Sequence, residues 1–434
     1  MQKNIKIYTL KNFHNIPQVQ SAISETEQKA IQIVGNVLPF KVNNYVTDEL
    51  IDWNNIPEDP IFQLTFPQRE MLSETHFADM ERALCEDFDK KEIRIITNNI
   101  RYELNPNTAG QHKNVPSIDG MKLTGVQHKY RETVLFFPSS SQTCHAYCTF
   151  CFRWPQFVGI DELKYAMKES ELLAEYMRRH PEATDVLFTG GDPMVMSANK
   201  FEKYIDPLIN NKVPNLRTIR IGSKSLAYWP YRFLTDKDSD DLLRMFEKIV
   251  NQGYHLAFMA HFNHPREMET NAVKNAISRI LSTGAKIRTQ SPIMNHINKG
   301  VDIWSDMWQK QVNLGMIPYY MFVARDTGAQ KYFAVSLDEA WRIYQKAYQQ
   351  VSGIARTVKG PSMSADPGKV QVLGVSEVAG KKVFVLRFIQ GRNSDWTCRP
   401  FFAEHDTEAV WLDDLKPAFG EKDFFYEKEM QQAN

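Results

Sequence analysis

Between about residue 126 and residue 350, short apolar runs alternate with amphipathic stretches of helical period. The apolar runs read as strands: Thr133 to Pro138, Asp185 to Thr189, Thr218 to Gly222, Leu256 to His261, Lys286 to Pro292 and Pro318 to Val323. Between them, Asp161 to His180, Ser239 to Asn251, Asn271 to Thr283 and Ala340 to Gln350 carry the apolar stripe of helices that bury one face. Strand and helix in alternation predict an α/β fold whose sheet is parallel and whose crossovers are right-handed. Six such units predict a partial (β/α)6 barrel of the TIM type rather than a complete barrel of eight.

The flanks follow other patterns. Residues 1 to 125 hold polar helical stretches (Pro17 to Val34, Arg69 to Phe88) and breakers such as Asn54-Asn55-Ile56-Pro57. They form an expected N-terminal, mainly helical extension, either a cover over the larger body or a small domain of its own. Within it Asp59-Pro-Ile-Phe-Gln-Leu-Thr-Phe-Pro67 reads as an anchor. Residues 126 to 350 are the expected barrel, and 351 to 434 an α+β C-terminal extension. There, residues 353 to 369 read as a long loop ending in a lysine, followed by strands at Val370 to Leu373 and Lys382 to Phe388. The aromatic and charged tail through Trp396 and Trp411 is expected to cover the barrel mouth or to pair with a second subunit.

Composition narrows the class. The 434 residues carry 52 basic and 52 acidic side chains, so no global field recruits nucleic acid or an anionic membrane. No apolar run approaches the length of a bilayer span, and the expected location is cytoplasmic. Five cysteines, three of them clustered, suit metal ligation in a reducing compartment better than a disulfide framework.

The cluster is Cys144-x3-Cys148-x2-Cys151, on the loop after the first predicted barrel strand. Thiolates are the soft ligands of iron–sulfur clusters, and three of them leave one iron open for chemistry. A zinc site completed by His145, or a chance group of buried thiols, is the alternative, although structural zinc usually takes two separated ligand pairs. With Phe150 just before the third cysteine, the spacing resembles the signature of radical S-adenosylmethionine (SAM) enzymes. Such barrels do their chemistry at the C-terminal ends of the strands. There stand Gly190-Gly191-Asp192, Arg220 to Ser223, His261 with His264, and Gln290. Glycines let backbone approach a ligand closely. The two histidines are open to a metal-pair or a hydrogen-bonding reading, the missing carboxylates favouring the second.

Taken together, the motifs resemble the lysine 2,3-aminomutase family of radical SAM enzymes, from about Asp59 to Leu373. They are Asp59-Pro-Ile-Phe, the cysteine loop, Gly-Gly-Asp-Pro, Arg-Ile-Gly-Ser, His-Phe-Asn-His-Pro, Pro318-Tyr-Tyr and Gly368-Lys-Val. The resemblance implies a 4Fe-4S cluster on Cys144, Cys148 and Cys151, with SAM seated by Gly190, Gly191 and Asp192 and by Ser223, His261 and Gln290. It further implies Arg153 for the substrate α-carboxylate, Lys369 for the Schiff base with pyridoxal 5′-phosphate, and Lys129, Tyr130 and Arg131 beside that cofactor's phosphate. The implied reaction is a radical migration of the α-amino group to the β-carbon. An electron donor such as flavodoxin or ferredoxin and a homo-oligomer are also expected.

Two departures from the family pattern stand out. Of its phosphate-binding basic pair, Lys129 keeps the first position while the second falls on Thr133. Where lysine-specific members place two aspartates around the distal ammonium, this chain has Arg325, with Asp326 one step off, and a segment containing Arg356 and Lys359. A cation there repels an ammonium and attracts a carboxylate. The expected substrate is therefore not free lysine but an amino acid with an acidic or polar distal group. The cysteine set that binds zinc in some relatives is absent from the sequence, so no zinc is expected. The alternatives are a relative doing another radical reaction, dehydration or epimerisation, without pyridoxal phosphate, and a non-catalytic iron–sulfur protein.

Overall fold

The computed structural model describes residues 3 to 432 apart from Asp87 and Asn211. Its main sheet has eleven strands hydrogen-bonded in one unbroken series. A hairpin opens it, β1 (Val126–Tyr130) running antiparallel to β2 (Thr133–Phe136). Parallel staves follow: β3 (Asp185–Phe188), β4 (Thr218–Ser223), β5 (His255–His261), β6 (Lys286–Ile293), β7 (Ile317–Val323) and β8 (Lys359–Ser364). The series closes with three antiparallel strands, β9 (Gly368–Val378), β10 (Lys381–Gly391) and β11 (Pro400–Glu404). Helices including Ser170–Arg179, Ala198–Ile209, Ser239–Asn251, Asn271–Ser282, Val301–Asn313 and Leu337–Gln350 connect the staves. This is the partial TIM-type barrel of the sequence reading, with β2 to β7 within about two residues of the predicted strands and β8 as a further parallel stave.

The segment read as a long loop is the main correction. Within 353 to 369 lies β8, and Lys369 is the second residue of β9 rather than the end of a loop. Gly360 and Pro361 look like loop punctuation, yet a Cβ on Gly360 would stand 2.4 Å from the Met321 carbonyl oxygen. The glycine is there because two strand backbones meet closely. The helix expected over Asp161 to His180 starts only at Ser170, after a single 3-10 turn at Asp161–Leu163.

The N-terminal extension is fastened to the barrel. One continuous core runs from Phe13 to Val358. Asp59 is wholly buried and caps the helix Pro60–Thr65, accepting from the amides of Ile61 at 3.0 Å and Phe62 at 2.8 Å. Its other carboxylate oxygen pairs with Arg266 beyond β5, which also donates to the Leu50 carbonyl. A buried carboxylate needs such partners, since losing one typically costs about 3–5 kcal/mol. A second core, with Phe388, Trp396, Phe401 and Trp411, fills the antiparallel end of the sheet.

Candidate active site

The ends of the staves surround a cavity of about 340 Å³, lined by both apolar and charged side chains. On one side stand the three cysteines. The loop turns tightly, Cys151 N donating to Cys148 O at 3.1 Å. Burial raises all three thiols, Cys148 to about 12, Cys151 to about 11 and Cys144 well above its ordinary value. The N-terminal extension holds this loop from outside: Tyr147 N donates to Lys41 O at 2.8 Å, Thr149 N to Leu64 O at 3.0 Å and Thr149 Oγ1 to Gln63 O at 2.7 Å. Asn43 Nδ2 donates to His145 O at 3.2 Å and to Tyr228 O at 2.9 Å.

The Gly-Gly-Asp turn supports the loop from within. A Cβ on Gly191 would lie 2.2 Å from the Thr143 carbonyl oxygen. The amides of Gly191 and Asp192 donate to Ser141 O at 3.0 Å and Thr143 O at 2.8 Å, so these two N–H groups are spent on holding the cysteine loop. Asp192, buried, accepts from Met194 N, Ser223 Oγ, Lys224 N and Ser225 Oγ at 2.9 to 3.0 Å, tying the end of β3 to the end of β4. Its carboxylate is already satisfied.

Across the cavity lies Lys369. Its ammonium sits 4.3 Å from the ring of Tyr320, 5.6 Å from Tyr130 and 5.7 Å from Phe322, and donates to Gln390 Oε1 at 3.3 Å. Burial, with Arg220 and Arg325 nearby, lowers it to about 7. Between lysine and cysteines, two guanidiniums share one phenyl ring: Arg325 lies 4.1 Å and Arg153 4.9 Å from the centroid of Phe152. Neither has a carboxylate partner among the described residues, and Arg153 Nη1 is buried without a hydrogen bond. Burial and Arg325 lower Arg153 to about 9. Among the described residues Asp192 is the one carboxylate on the cavity wall, so the wall has buried cations in excess.

A protein of Aquifex aeolicus provisionally named L-lysine 2,3-aminomutase is 31% identical over 416 residues, which is 95% of this chain and 96% of that one. The chain belongs to the lysine 2,3-aminomutase family of radical SAM isomerases. The L-lysine 2,3-aminomutase of Methanococcus maripaludis is 24% identical across 88% of this chain and 76% of its own. That of Bacillus subtilis is also 24% identical, across 80% of this chain and 63% of its own. No family model matches the chain. Among solved structures, SuiB of Streptococcus suis covers 66% of this chain and 60% of its own at 13% identity and a TM-score of 0.38, too low a likeness to carry an argument.

Membership brings SAM and its iron–sulfur cluster, and the thiols fit one. No three His, Cys, Asp or Glu groups among the described residues are gathered around a point as ligands of a single ion. A cubane does not ask for that, because each thiolate takes a separate iron. His145 gives Nδ1 to a hydrogen bond with Ser225 Oγ at 2.9 Å. Of the two histidines after β5, His261 lines the cavity against the ring of Phe150, whereas the side chain of His264 accepts from Arg266 N at 3.3 Å. His261 thus belongs to the cavity wall and His264 to the turn that follows, an arrangement that suits the hydrogen-bonding reading. Ser223 and Gln290, expected as SAM contacts, both line the cavity.

For pyridoxal phosphate the fit is uneven. Lys369 has the buried, easily deprotonated amine such a site needs, and Tyr130 lines the cavity beside it. Lys129 reaches the cavity and donates to the Ala365 carbonyl, spanning the seam between β1 and the last stave. Arg131 is exposed in the β1–β2 turn, outside the cavity, because the hairpin reverses there. The Thr133 hydroxyl accepts from Arg220 at 3.1 Å and lies 3.3 Å from Asp185 Oδ2. Asp326 also lies outside, pinned by Asn105 at 2.9 Å and by the Thr108 hydroxyl. Arg356 is exposed and donates to Val351 O at 3.0 Å, and Lys359 starts β8 at the opposite end of the stave. Of the residues expected to read the distal group, only Arg325 faces the cavity.

Sequence reasoning missed Phe152, Lys224, Tyr228 and Asn43. Phe152 had a signal, since it lies between the last cysteine and Arg153; Asn43 had none, lying about 100 residues before the loop it holds.

Proposed function

We propose that this chain is a pyridoxal phosphate-dependent amino-acid 2,3-aminomutase whose substrate carries a distal carboxylate, and not free lysine. The observation that supports it best is Arg325, a buried guanidinium on Phe152 facing the same cavity as Lys369 and the three thiols, with no carboxylate among the described residues in ion-pair contact with it and Asp326 acting on it only at longer range. In this reading Arg153 holds the α-carboxylate as a two-pronged donor and Arg325 the distal one. Lys369, half protonated near neutral pH, gives up or takes the proton at Nζ as cofactor is bound or released. Tyr130, Tyr320 and Phe322 wall off water. When bound, the cluster with SAM supplies a hydrogen-abstracting radical, and pyridoxal phosphate a ring that spreads unpaired electron density. A low-potential one-electron donor protein completes the set.

The incomplete phosphate cradle at Lys129 favours a second reading, a radical SAM relative that works without pyridoxal phosphate. One experiment separates the two. Anaerobically reconstituted protein, given pyridoxal phosphate, should show a visible band that Lys369→Ala lacks; with SAM and reductant it should convert a dicarboxylic amino acid to its β-isomer. Absence of the band with the cluster intact favours the second reading, and fast turnover of lysine overturns the substrate assignment.

A further inference from the structure

The short helix Ser225–Tyr228 after β4 brings a phenol to the cysteine loop. Tyr228 Oη lies 3.8 Å from Cys148 Sγ, within reach of a sulfur hydrogen bond, and Tyr228 is 1% exposed. Its place is fixed from three directions. Asn43 bridges the carbonyls of Tyr228 and His145. Ser225, at the head of the helix, bonds both His145 and Asp192. The Lys224 ammonium stands 4.4 Å over the Tyr228 ring, held by Glu267 at 2.6 Å and Asn263 at 2.7 Å.

We infer that Tyr228 sets the reduction potential of the cluster by donating a hydrogen bond to the sulfur of Cys148. A thiolate on iron has no proton to give, so between these two atoms only the phenol can donate. A donor draws electron density from the sulfur and favours the reduced, more negative cluster, which raises its potential. The cation over the ring strengthens this by drawing electron density from the phenol. The step concerned is the uptake of one electron from a low-potential one-electron reductant; the phenol keeps its proton, and no bond is made or broken. Tyr228 is thus a positioning residue that acts through Cys148. The inference rests on the assignment of the cluster to Cys144, Cys148 and Cys151.

The test is a redox titration followed by electron paramagnetic resonance on anaerobically reconstituted wild type, Tyr228→Phe and Tyr147→Phe, at equal iron content. Tyr147 belongs to the same loop, but its hydroxyl faces Thr143 Oγ1 at 3.2 Å. The expected result is a midpoint shifted to more negative potential in Tyr228→Phe and unmoved in Tyr147→Phe. Equal midpoints in wild type and Tyr228→Phe, or equal shifts in both variants, overturn the proposal. If Tyr228→Phe assembles no cluster, the full chain carrying 3-fluorotyrosine is titrated instead. Its more acidic phenol should move the midpoint upward, and an unmoved midpoint overturns the proposal. A wild type with no cubane absorption overturns the cluster assignment and this inference with it.

Discussion

Arg325 stacks on Phe152 at 4.1 Å, and the same ring carries Arg153 on its other contact at 4.9 Å. Two like charges are held near each other in a buried wall, neither in ion-pair contact with a carboxylate among the described residues, although Asp326 favours the charge on Arg325 from a longer range. Such an arrangement costs free energy, and under the proposed function a ligand with two carboxylates would relieve it.

Replacing Arg325 with Met should therefore raise KM for a dicarboxylic amino acid by about 10- to 150-fold, the range of one charged hydrogen bond at about 1.5–3 kcal/mol. Steady-state kinetics on the β-isomer checks it. An unchanged KM would mean that Arg325 serves another anion, such as the cofactor phosphate.

Lys369 makes cofactor uptake depend on pH. Its amine is lowered to about 7, so the reactive neutral form falls about tenfold per pH unit below that value and saturates above it. The rate at which the visible band appears should follow this curve. Stability should carry the matching sign: between pH 7 and the ordinary lysine range the unfolded chain binds more protons than the folded one, so folding gains with rising pH. Denaturant midpoints of wild type and Lys369→Met, compared across that window, read the difference.

Gly191→Ala tests the contact between the glycine turn and the cysteine loop. A methyl group 2.2 Å from the Thr143 carbonyl oxygen cannot be accommodated without moving the loop. The variant should lose about 1–3 kcal/mol of stability and bind less iron per chain after reconstitution, measured by denaturation and by iron assay.

Much of the fold was legible because barrel staves are apolar runs bounded by turn residues, and β2 to β7 lie where that pattern puts them. What defeated the pattern was β8: Lys359-Gly-Pro-Ser reads as a break, and only its neighbour Met321 explains why a glycine belongs in a strand. Of the expected site residues, Cys144, Cys148 and Cys151 come together on the cavity wall because their signal is concentrated in one loop. Arg131 and Asp326 fall outside that wall, because one step along a strand or turn decides which way a side chain points.

Thr149→Val checks the outer hold on the loop. It removes the 2.7 Å bond to Gln63 O and leaves a buried carbonyl unmet, which should cost about 1–3 kcal/mol. Cluster content should fall with it; a stable variant with full iron would mean that the backbone bond to Leu64 suffices.

That hold has a consequence for the life of the protein in a cell short of iron. Small zinc modules are unfolded until metal arrives, because the metal supplies their folding energy. Here Lys41, Asn43, Gln63 and Leu64 shape the ligand loop with ordinary protein hydrogen bonds. Chains made during scarcity should therefore persist as folded, protease-resistant precursors, ready to be loaded when iron returns rather than made anew.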